Sequence, residues 1–250
     1  MADDAEAWVI ERRATTASTN EDAQQKLGDP SAAGLAIVAD VQTAGAGRRG
    51  RRWIAPKGSG LLFTAILPAE IPASAAWAAT LWAGLAVARA LDEWHVATTL
   101  QWPNDLLVDD RKICGILCVS RIAGERAWIG CGVGVNVFRP ERHPGLEEVV
   151  PPPIFLSDIA VVRADAREQL LQAILSEFGA RLGAFEQPES IARDWERRAG
   201  VPGARYRFRF EDGREVEGEA LRIAPGGGLV VRATNGELRT IELADARVVR

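Results

Sequence analysis

A glycine- and arginine-rich stretch at residues 44–53, AGAGRRGRRW, lies between two short apolar segments at residues 35–41 and 61–67. Both segments have the length and composition of buried strands. The loop matches the G-x-G-x-x-G spacing of dinucleotide-binding folds, in which a helix must begin at the glycines to receive the pyrophosphate. Here a proline and two further glycines follow instead, and no Lys-Ser/Thr pair completes a P-loop. The pattern therefore predicts a strand–loop–strand unit and excludes both nucleotide-binding folds.

The loop carries four arginines, three glycines and a terminal tryptophan. Glycine lets the backbone approach a ligand closely, and arginine presents a fork of donors suited to phosphate and carboxylate. The face of Trp53 suits a nucleobase. A solvated arginine loop is the plainer alternative, but the combination of residue types favours an anion-binding site.

A second polar group, Gln-Trp-Pro-Asn-Asp, occupies residues 101–105. Asn104 and Asp105 follow a proline between two predicted strands, where side chains can turn toward a pocket or a metal; alone, such a pair is more often an ordinary turn. Lys112 is one of three lysines beside 27 arginines and begins an apolar strand. A compact ammonium there suits a carboxylate whose oxygen must move toward phosphorus, although the other two lysines carry no such signal.

A third segment, Gly-Cys-Gly-Val-Gly-Val-Asn at residues 130–136, is a predicted strand with a glycine at every second position. Missing side chains on one face of a strand leave room for a ligand to lie against the backbone. Tight packing between strands is the plainer alternative.

The remaining pattern predicts a mixed α/β domain over residues 1–200 and a small β-barrel over residues 201–250. Ser18 to Glu21 has the Ser-x-x-Glu form of a capping box. Residues 73–94 are expected to form a buried core helix, and residues 165–185 have helical spacing. Further strands are predicted at 98–102, 105–109, 112–121 and 126–137.

After three consecutive prolines at residues 151–153, which predict a stiff connector, the chain changes character near residue 200. Short strand-like runs from residue 206 to residue 243 alternate with Asp-Gly, glycine-rich and Asn-Gly turns. This alternation is typical of a small β-barrel.

Bulk properties exclude several classes of protein. The formal net charge of −4 argues against general nucleic-acid binding, which needs a basic field. The acidic start lacks the regions of a signal peptide, and no membrane span is expected, so a cytoplasmic protein is predicted. Cys114, Cys118 and Cys131 lie in apolar runs and are expected to be buried thiols in a reducing cytosol; their spacing does not match a zinc site. With two histidines and no G-x-S-x-G, a hydrolytic triad has little support.

Five segments together resemble the catalytic core of the biotin protein ligases (biotin–acetyl-CoA-carboxylase ligases). Each is weak alone, but they occur in the family's order and at compatible separations, which makes the set specific. The segments are residues 18–20, 42–53, 101–106, 111–117 and 132–136. The resemblance is strongest over residues 15–140, and the C-terminal part is similar to the family's SH3-like domain.

The resemblance implies an α/β fold with the mixed sheet of biotin/lipoate ligases and an ATP-dependent reaction in two steps. Biotin would react with ATP and Mg²⁺ to give biotinyl-5′-AMP. The biotinyl group would then pass to a lysine of a biotin carboxyl carrier protein domain. The family often dimerises through its sheet, so the resemblance allows a homodimer.

The family's roles can be carried onto the matching positions. The implied catalytic residues are Lys112 and Arg48, and the implied magnesium ligand is Asp105. Biotin binding is implied for Ser18, Thr19, Asn20, Gln42, Ala46, Gly47, Arg48, Lys112, Gly115, Leu117 and Gly132. ATP binding is implied for Arg48, Arg49, Arg51, Trp53, Asn104, Asp105 and Asn136.

Two positions depart from the family's usual sequence: Ala46 stands where arginine is usual, and Gln101 where lysine is common. Arg48 and Lys112 are retained. A lipoate or octanoate ligase is the nearest alternative, because it shares the fold and a key lysine, but the arginine loop and residues 101–105 favour biotin. A biotin-sensing repressor is disfavoured, since the first ligand motif leaves no room for a preceding helix-turn-helix. Specific DNA binding is therefore not expected.

Overall fold

The structure, a computed structural model, describes residues 8–142, 145–146, 149–243 and 246–249. The acidic start at residues 1–7, on which the signal-peptide prediction depends, and one of the two histidines, His143, lie outside these ranges. The helices are α1 (Thr19–Gln24), α2 (Ala79–Asp92), α3 (Leu156–Ile159), α4 (Ala166–Ala180) and α5 (Pro188–Arg198). The strands up to residue 136 are β1 (Val9–Arg13), β2 (Leu35–Ala39), β3 (Gly60–Ile66), β4 (Ile71–Pro72), β5 (Thr99–Gln101), β6 (Asp105–Val108), β7 (Arg111–Ala123) and β8 (Arg126–Asn136).

These eight strands form one sheet in the order β1-β2-β3-β8-β7-β6-β5, with the short β4 also paired to β8. β1 and β2 run parallel, and the other described pairs run antiparallel. The mixed sheet and its helices confirm the predicted fold class. β3 is buried throughout and β8 along most of its length, as expected for strands that are covered on both faces.

Helices pack on both faces of this sheet. The larger core includes α2, α4 and α5, and the rings of Trp82 and Phe178 stack within it with their centroids 4.7 Å apart. On the other face, α1 and the turn that follows it enclose a smaller cluster that includes Leu27 and Ile37. The span Ala73–Asp92 is long and apolar enough to cross a membrane by length and composition, yet 72% of its most apolar window is buried in the fold. This burial supports the predicted core helix.

Helix α1 begins where the sequence predicts, but a different contact fixes its start. Ser18 occupies the N-cap position, yet its side chain makes no capping hydrogen bond, so the predicted capping box is wrong. The first helical N–H, that of Thr19, donates to Gln42 Oε1 at 2.8 Å. The residue that caps the helix therefore comes from the segment after β2, which draws two of the predicted ligand motifs together.

A second sheet of five antiparallel strands follows α5, in the order β12-β11-β10-β9-β13. Its strands are β9 (Arg205–Phe210), β10 (Glu215–Ile223), β11 (Leu229–Ala233), β12 (Leu238–Ile241) and β13 (Ala246–Val249). This sheet, called the C-terminal sheet below, is consistent with the predicted SH3-like barrel. The predicted boundary between residues 200 and 201 lies in the link from α5 to β9, and the division into two domains stays a prediction. The predicted strands were 206–210, 221–223, 229–232 and 239–243, so β13 and the first six residues of β10 were not predicted.

Trp102 joins the two sheets. Its buried indole donates from Nε1 to the carbonyl of Gly227 at 3.1 Å, and its ring meets Phe208 edge-on with centroids 5.9 Å apart. The Trp102 N–H also donates to the Tyr206 hydroxyl at 3.2 Å. Because Trp102 immediately precedes the Pro-Asn-Asp segment, these contacts hold that segment against the C-terminal sheet.

Candidate active site

A cavity of about 510 Å³ lies over β7 and β8 and gathers all the residues predicted to bind a ligand. The glycines of the two strands form part of its floor, and the arginine loop, the segment at residues 101–105 and the C-terminal sheet contribute its walls. The predicted residues that line it are Ser18, Thr19, Asn20, Gln42, Ala46, Gly47, Arg48, Arg49, Arg51, Trp53, Asn104, Asp105, Lys112, Gly115, Leu117, Gly132 and Asn136. Their individual roles stay predictions.

At one end of the cavity, three lining side chains, Thr19, Asn20 and Gln42, form a connected polar cradle with Thr64, which supports them without lining the cavity. The Thr19 hydroxyl donates to Gln42 Oε1 at 3.0 Å, and the Thr64 hydroxyl lies 2.7 Å from Asn20 Oδ1 and 2.9 Å from Thr19 Oγ1. Thr19 and Thr64 are buried. Sequence reasoning missed Thr64, although its signal was available as a lone hydroxyl within the apolar run of β3.

Gly132 provides the space that the polar cradle occupies. The Asn20 amide donates from Nδ2 to the carbonyl of Leu117 at 2.9 Å. A Cβ atom at Gly132 would lie 2.2 Å from Asn20 Oδ1 and 2.6 Å from the Leu117 carbonyl oxygen, well inside contact distance. At Gly132 the missing side chain thus makes room for Asn20, which is the tight packing given above as the alternative; room for a ligand on this strand stays a prediction.

The arginine loop is an ordered hairpin. The Trp53 N–H donates to the carbonyl of Gly45 at 2.8 Å, and the Gly47 N–H donates to the carbonyl of Arg51 at 2.7 Å. No α-helix separates the loop from β3 in this fully described part of the chain, which confirms why the dinucleotide pattern fails. Ala46, the departure from the family pattern, is an exposed residue at the cavity wall, and its backbone bridges that of Arg52.

The indole of Trp53 lies flat on the glycine floor. A Cβ atom at Gly134 would lie 2.6 Å from the ring, and one at Gly115 would lie 2.9 Å from it. Lys112 Nζ is 5.4 Å from the ring centroid, within cation–π range. Trp53 Nε1 is buried and has no hydrogen-bond partner within the described ranges. The tryptophan predicted to stack on adenine is therefore already packed against the sheet.

The tip of the loop, Arg48 and Arg49, is called the arginine tip, and it contacts the C-terminal sheet. Arg48 Nη2 donates to the carbonyl of Leu243 at 2.6 Å, and Arg49 Nη2 pairs with Glu211 Oε1 at 2.7 Å. Burial, followed by repulsion from Arg49, lowers the pKa of Arg48. Contacts that span more than 160 positions of the chain leave no local pattern, so the sequence could not predict them.

Lys112 and Asp105 form an ion pair inside the cavity, with Nζ 2.6 Å from Oδ1 and both side chains less than one-fifth exposed. The two predicted asparagines bond to the backbone. Asn136 Nδ2 donates to the carbonyl of Lys112 at 3.0 Å, and Asn104 Nδ2 donates to that of Ile116 at 2.7 Å. The structure thus brings these residues together around the lysine that the sequence singled out.

Two parts of the cavity wall were not predicted. The proline run at residues 151–153 pairs with the start of β7: the Lys112 N–H donates to the Pro152 carbonyl at 2.9 Å, and Pro153 lines the cavity. Arg209 and the last residues of β13 line it from the C-terminal sheet. The prolines were interpreted only as a connector, because their partner lies about forty residues earlier in the chain.

The acidic groups of the cavity limit how a metal could be held. Within the described ranges, no group of three or more His, Cys, Asp or Glu side chains is placed to hold a metal ion. Asp105 is the carboxylate predicted for magnesium, and its Oδ1 atom contacts Lys112. Magnesium commonly binds through one or two carboxylates together with substrate phosphates. The magnesium role of Asp105 stays a prediction.

The sequence profile described as the Biotin/lipoate A/B protein ligase family matches residues 12–136 of the chain. This range contains the polar cradle, the arginine loop, Lys112 and the glycines of β8. The match therefore covers half of the chain and most of the cavity.

Individual relatives extend the similarity further. The "Bifunctional ligase/repressor BirA" of Bacillus subtilis is 32% identical over 91% of this chain and 70% of its own length. The "Biotin--[acetyl-CoA-carboxylase] ligase" of Mycobacterium tuberculosis is 32% identical over 86% of this chain and 80% of its own length. A solved biotin protein ligase from Aquifex aeolicus, in complex with biotin and ATP, matches with a TM-score of 0.75 at 25% identity and covers 96% of this chain and 98% of that one.

Proposed function

The chain belongs to the biotin/lipoate A/B protein ligase family, and we propose on this premise that it activates biotin with ATP and transfers it to a lysine of a biotin carboxyl carrier protein. The single observation that carries the proposal is the arrangement of one cavity, with a polar cradle at one end and Lys112 beside the arginine loop at the other. The relatives named above as biotin ligases favour biotin over lipoate. We further propose that the reaction takes place in the cytoplasm.

The polar cradle suits the ureido ring of biotin. A buried ureido group needs both donors and acceptors, and amide and hydroxyl side chains supply both kinds. Between the polar cradle and Lys112, the floor consists of Gly115, Leu117 and Gly132. The valeryl tail would lie along this floor beside Asn20 and the Trp53 ring, with the biotin carboxylate toward the ammonium of Lys112.

In the first step, a carboxylate oxygen of biotin attacks the α-phosphorus of ATP. The new P–O bond gives biotinyl-5′-AMP, and the bond to the β-phosphate breaks to release pyrophosphate. Lys112 holds the carboxylate and balances the charge that moves onto the phosphoryl oxygens. Arg48 and Arg49 bind phosphate groups of ATP during this step. Positioning and charge stabilisation supply most of the rate in such a phosphoryl transfer.

In the second step, the amine of the carrier lysine attacks the acyl carbon of the mixed anhydride. The amide bond forms, AMP leaves, and the attacking nitrogen loses a proton. The arginine loop covers the intermediate and excludes water, which would otherwise hydrolyse it. Magnesium arriving with ATP would neutralise phosphate charge, with Asp105 as its one protein carboxylate.

The test is biotin-dependent exchange between ATP and labelled pyrophosphate, which reports the first step alone. Lys112→Ala is expected to lower the exchange rate by about 100-fold or more, the usual cost of removing a group that stabilises developing charge. Lys57→Ala is the matched control, because Lys57 is exposed and does not line the cavity. Near-normal exchange by Lys112→Ala would refute the proposed role of Lys112.

The same assay separates biotin from lipoate, which the family description also includes. Exchange is expected with biotin and not with lipoate or octanoate. Exchange with lipoate alone would show that the substrate assignment is wrong, while leaving the acyl-adenylate chemistry in place.

A further inference from the structure

Two thiols face each other behind the binding face of the sheet. Cys118 of β7 and Cys131 of β8 are direct cross-strand partners, and their sulfur atoms lie 3.8 Å apart. Both are free thiols. Opposed residues of antiparallel strands have Cα separations of about 4.5–5.5 Å, inside the range of about 4.4–6.8 Å that a disulfide accepts. The pair is therefore within the range that a disulfide can bridge, but the two sulfur atoms must approach from 3.8 Å to about 2.05 Å to bond.

The two sulfurs differ in access. Cys131 is fully buried, whereas Cys118 is only partly buried. Cys118 lines a second cavity, of about 500 Å³, together with Thr80 and Arg48. The ladder between β6 and β7 ends at Gly115, so β6 does not pair with β7 at Cys118. A small polar reagent that enters this cavity meets Cys118 first.

The environment also makes Cys118 the reactive member of the pair. Its hydrogen bond with Cys131, helped by Thr80, lowers the pKa of the Cys118 thiol. Burial instead raises the pKa of Cys114, which pairs across the strands with Val135. Thiolates and not thiols are the nucleophiles in oxidation. Of the three cysteines, Cys118 is therefore the one that is partly exposed and whose pKa is lowered.

We propose that hydrogen peroxide oxidises Cys118 and Cys131 to a disulfide, and that this disulfide weakens the binding of biotin. The Cys118 thiol gives up its proton, and the thiolate attacks hydrogen peroxide; the O–O bond breaks, Cys118 becomes a sulfenic acid, and the hydroxide that leaves takes up that proton to form one water. The Cys131 thiol then attacks that sulfur, the S–S bond forms, and the hydroxyl leaves as a second water. Two thiols are oxidised and one peroxide is reduced, so the step needs no other reagent.

The coupling to biotin rests on the proposed function and on the neighbours of the pair. Leu117 and Gly132 are the adjacent cross-strand partners, and their face of the sheet carries Asn20. Forming the disulfide draws the two Cβ atoms from about 4.5–5.5 Å to about 3.8 Å. The backbone at Gly132 and the Asn20 side chain are already in close contact, since a Cβ atom at Gly132 would lie 2.2 Å from Asn20 Oδ1. Displacement of the strands therefore disturbs the polar cradle.

The first experiment treats the intact wild-type protein with hydrogen peroxide and counts thiols after denaturation. Three free thiols are expected before oxidation and one after it, with a mass loss of about 2 Da and a peptide map that links Cys118 to Cys131. Dithiothreitol should restore all three thiols. Retention of all three thiols, a link that includes Cys114, or a link between two chains would overturn the proposal.

Two variants identify the order of events without relying on activity. Cys131→Ser should accumulate a sulfenic acid on Cys118 that dimedone labels, because the resolving thiol is gone. Cys118→Ser should show neither label nor mass loss. Labelling of Cys131 in the Cys118→Ser variant at the wild-type rate would contradict the assignment of Cys118 as the first site.

The second experiment compares the biotin affinity of the reduced and oxidised wild-type protein by calorimetry. The oxidised form is expected to bind at least about fivefold more weakly, as small displacements of a positioned site commonly cause, and dithiothreitol should reverse the loss. Equal affinity in both forms would overturn the coupling. Absence of biotin binding by the reduced form would instead count against the proposed function.

Discussion

The two ends of the cavity are held in different ways. The polar cradle is bonded to the main sheet and to its own members, with Asn20 fixed on the Leu117 carbonyl and Thr19 fixed on Gln42. The arginine tip is bonded across the cavity to the C-terminal sheet, through the Leu243 carbonyl and the Glu211 carboxylate. One end is anchored in the core, and the other is bonded to groups that a nucleotide would replace.

This difference predicts how each ligand binds. A site whose side chains are already fixed loses little entropy on binding, so the biotin end should bind without rearrangement. At the nucleotide end, Trp53 covers the glycine floor and Lys112 is paired with Asp105. On the proposed function, these contacts are exchanged for contacts with ATP. Variants at the two ends should therefore separate biotin affinity from the KM for ATP.

The largest effect is expected at the fixed end. Gly132→Ala places a methyl group 2.2 Å from Asn20 Oδ1 and 2.6 Å from the Leu117 carbonyl oxygen. Asn20 can give way only by leaving its bonded position, so the Kd for biotin is expected to rise by about 100-fold. Calorimetry measures this change, and thermal unfolding checks that the variant is folded.

Gly183→Ala is the matched control for this substitution. A Cβ at Gly183 would meet no heavy atom within 4 Å, and its φ lies outside the left-handed region. It should bind biotin as the wild type does. A folded Gly132→Ala variant with wild-type affinity would show that the polar cradle is not the biotin site.

Trp53→Ala is expected to have a smaller effect than Gly132→Ala, and to affect the KM for ATP more than the Kd for biotin. Loss of a stacking partner costs about 1–3 kcal/mol per base, so the KM for ATP should rise by about tenfold. The Kd for biotin should change less than the KM for ATP, because Trp53 contacts the floor at Gly115 but is not part of the polar cradle. Trp53→Phe keeps an aromatic face and should recover most of the ATP affinity. Equal losses for biotin and ATP would remove the distinction between the two ends.

The sequence predicted the residues of the site far better than their partners. Lys112, the 101–105 segment and the glycines of β8 could be found because each carries a local pattern. Thr64 could have been found, since a hydroxyl within an apolar strand must have a hydrogen-bond partner. The fold class followed from the strand and helix patterns in the same way.

The contacts with the C-terminal sheet could not be predicted. Glu211 and the Leu243 carbonyl look like ordinary turn residues, and only the tertiary fold brings them to the arginine tip. The predicted capping box was wrong for the same reason. Ser18 has the right local pattern, but the fold brings Gln42 to the start of the helix, where its side chain accepts the hydrogen bond from the Thr19 N–H. Local patterns identify candidate groups, whereas long-range packing decides which of them meet.

The smallest effect, and the sharpest test of the comparison, concerns Arg49 and Glu211. The Glu211 side chain is 83% exposed, so the pair should contribute little to stability. Arg49→Ala should raise the KM for ATP by about fivefold, because one phosphate contact is lost. Glu211→Gln should leave it unchanged or lower it by about twofold, because Arg49 no longer has a competing carboxylate.

Glu237→Gln is the matched control, since Glu237 forms a comparable ion pair with Arg239 elsewhere on the C-terminal sheet. It should change neither the KM for ATP nor the Kd for biotin. If Glu211→Gln raised the KM for ATP as Arg49→Ala does, the carboxylate would be holding the guanidinium in its working position. The nucleotide end would then be as fixed as the polar cradle, and the C-terminal sheet would be a structural part of the ATP site rather than a competitor for its arginines.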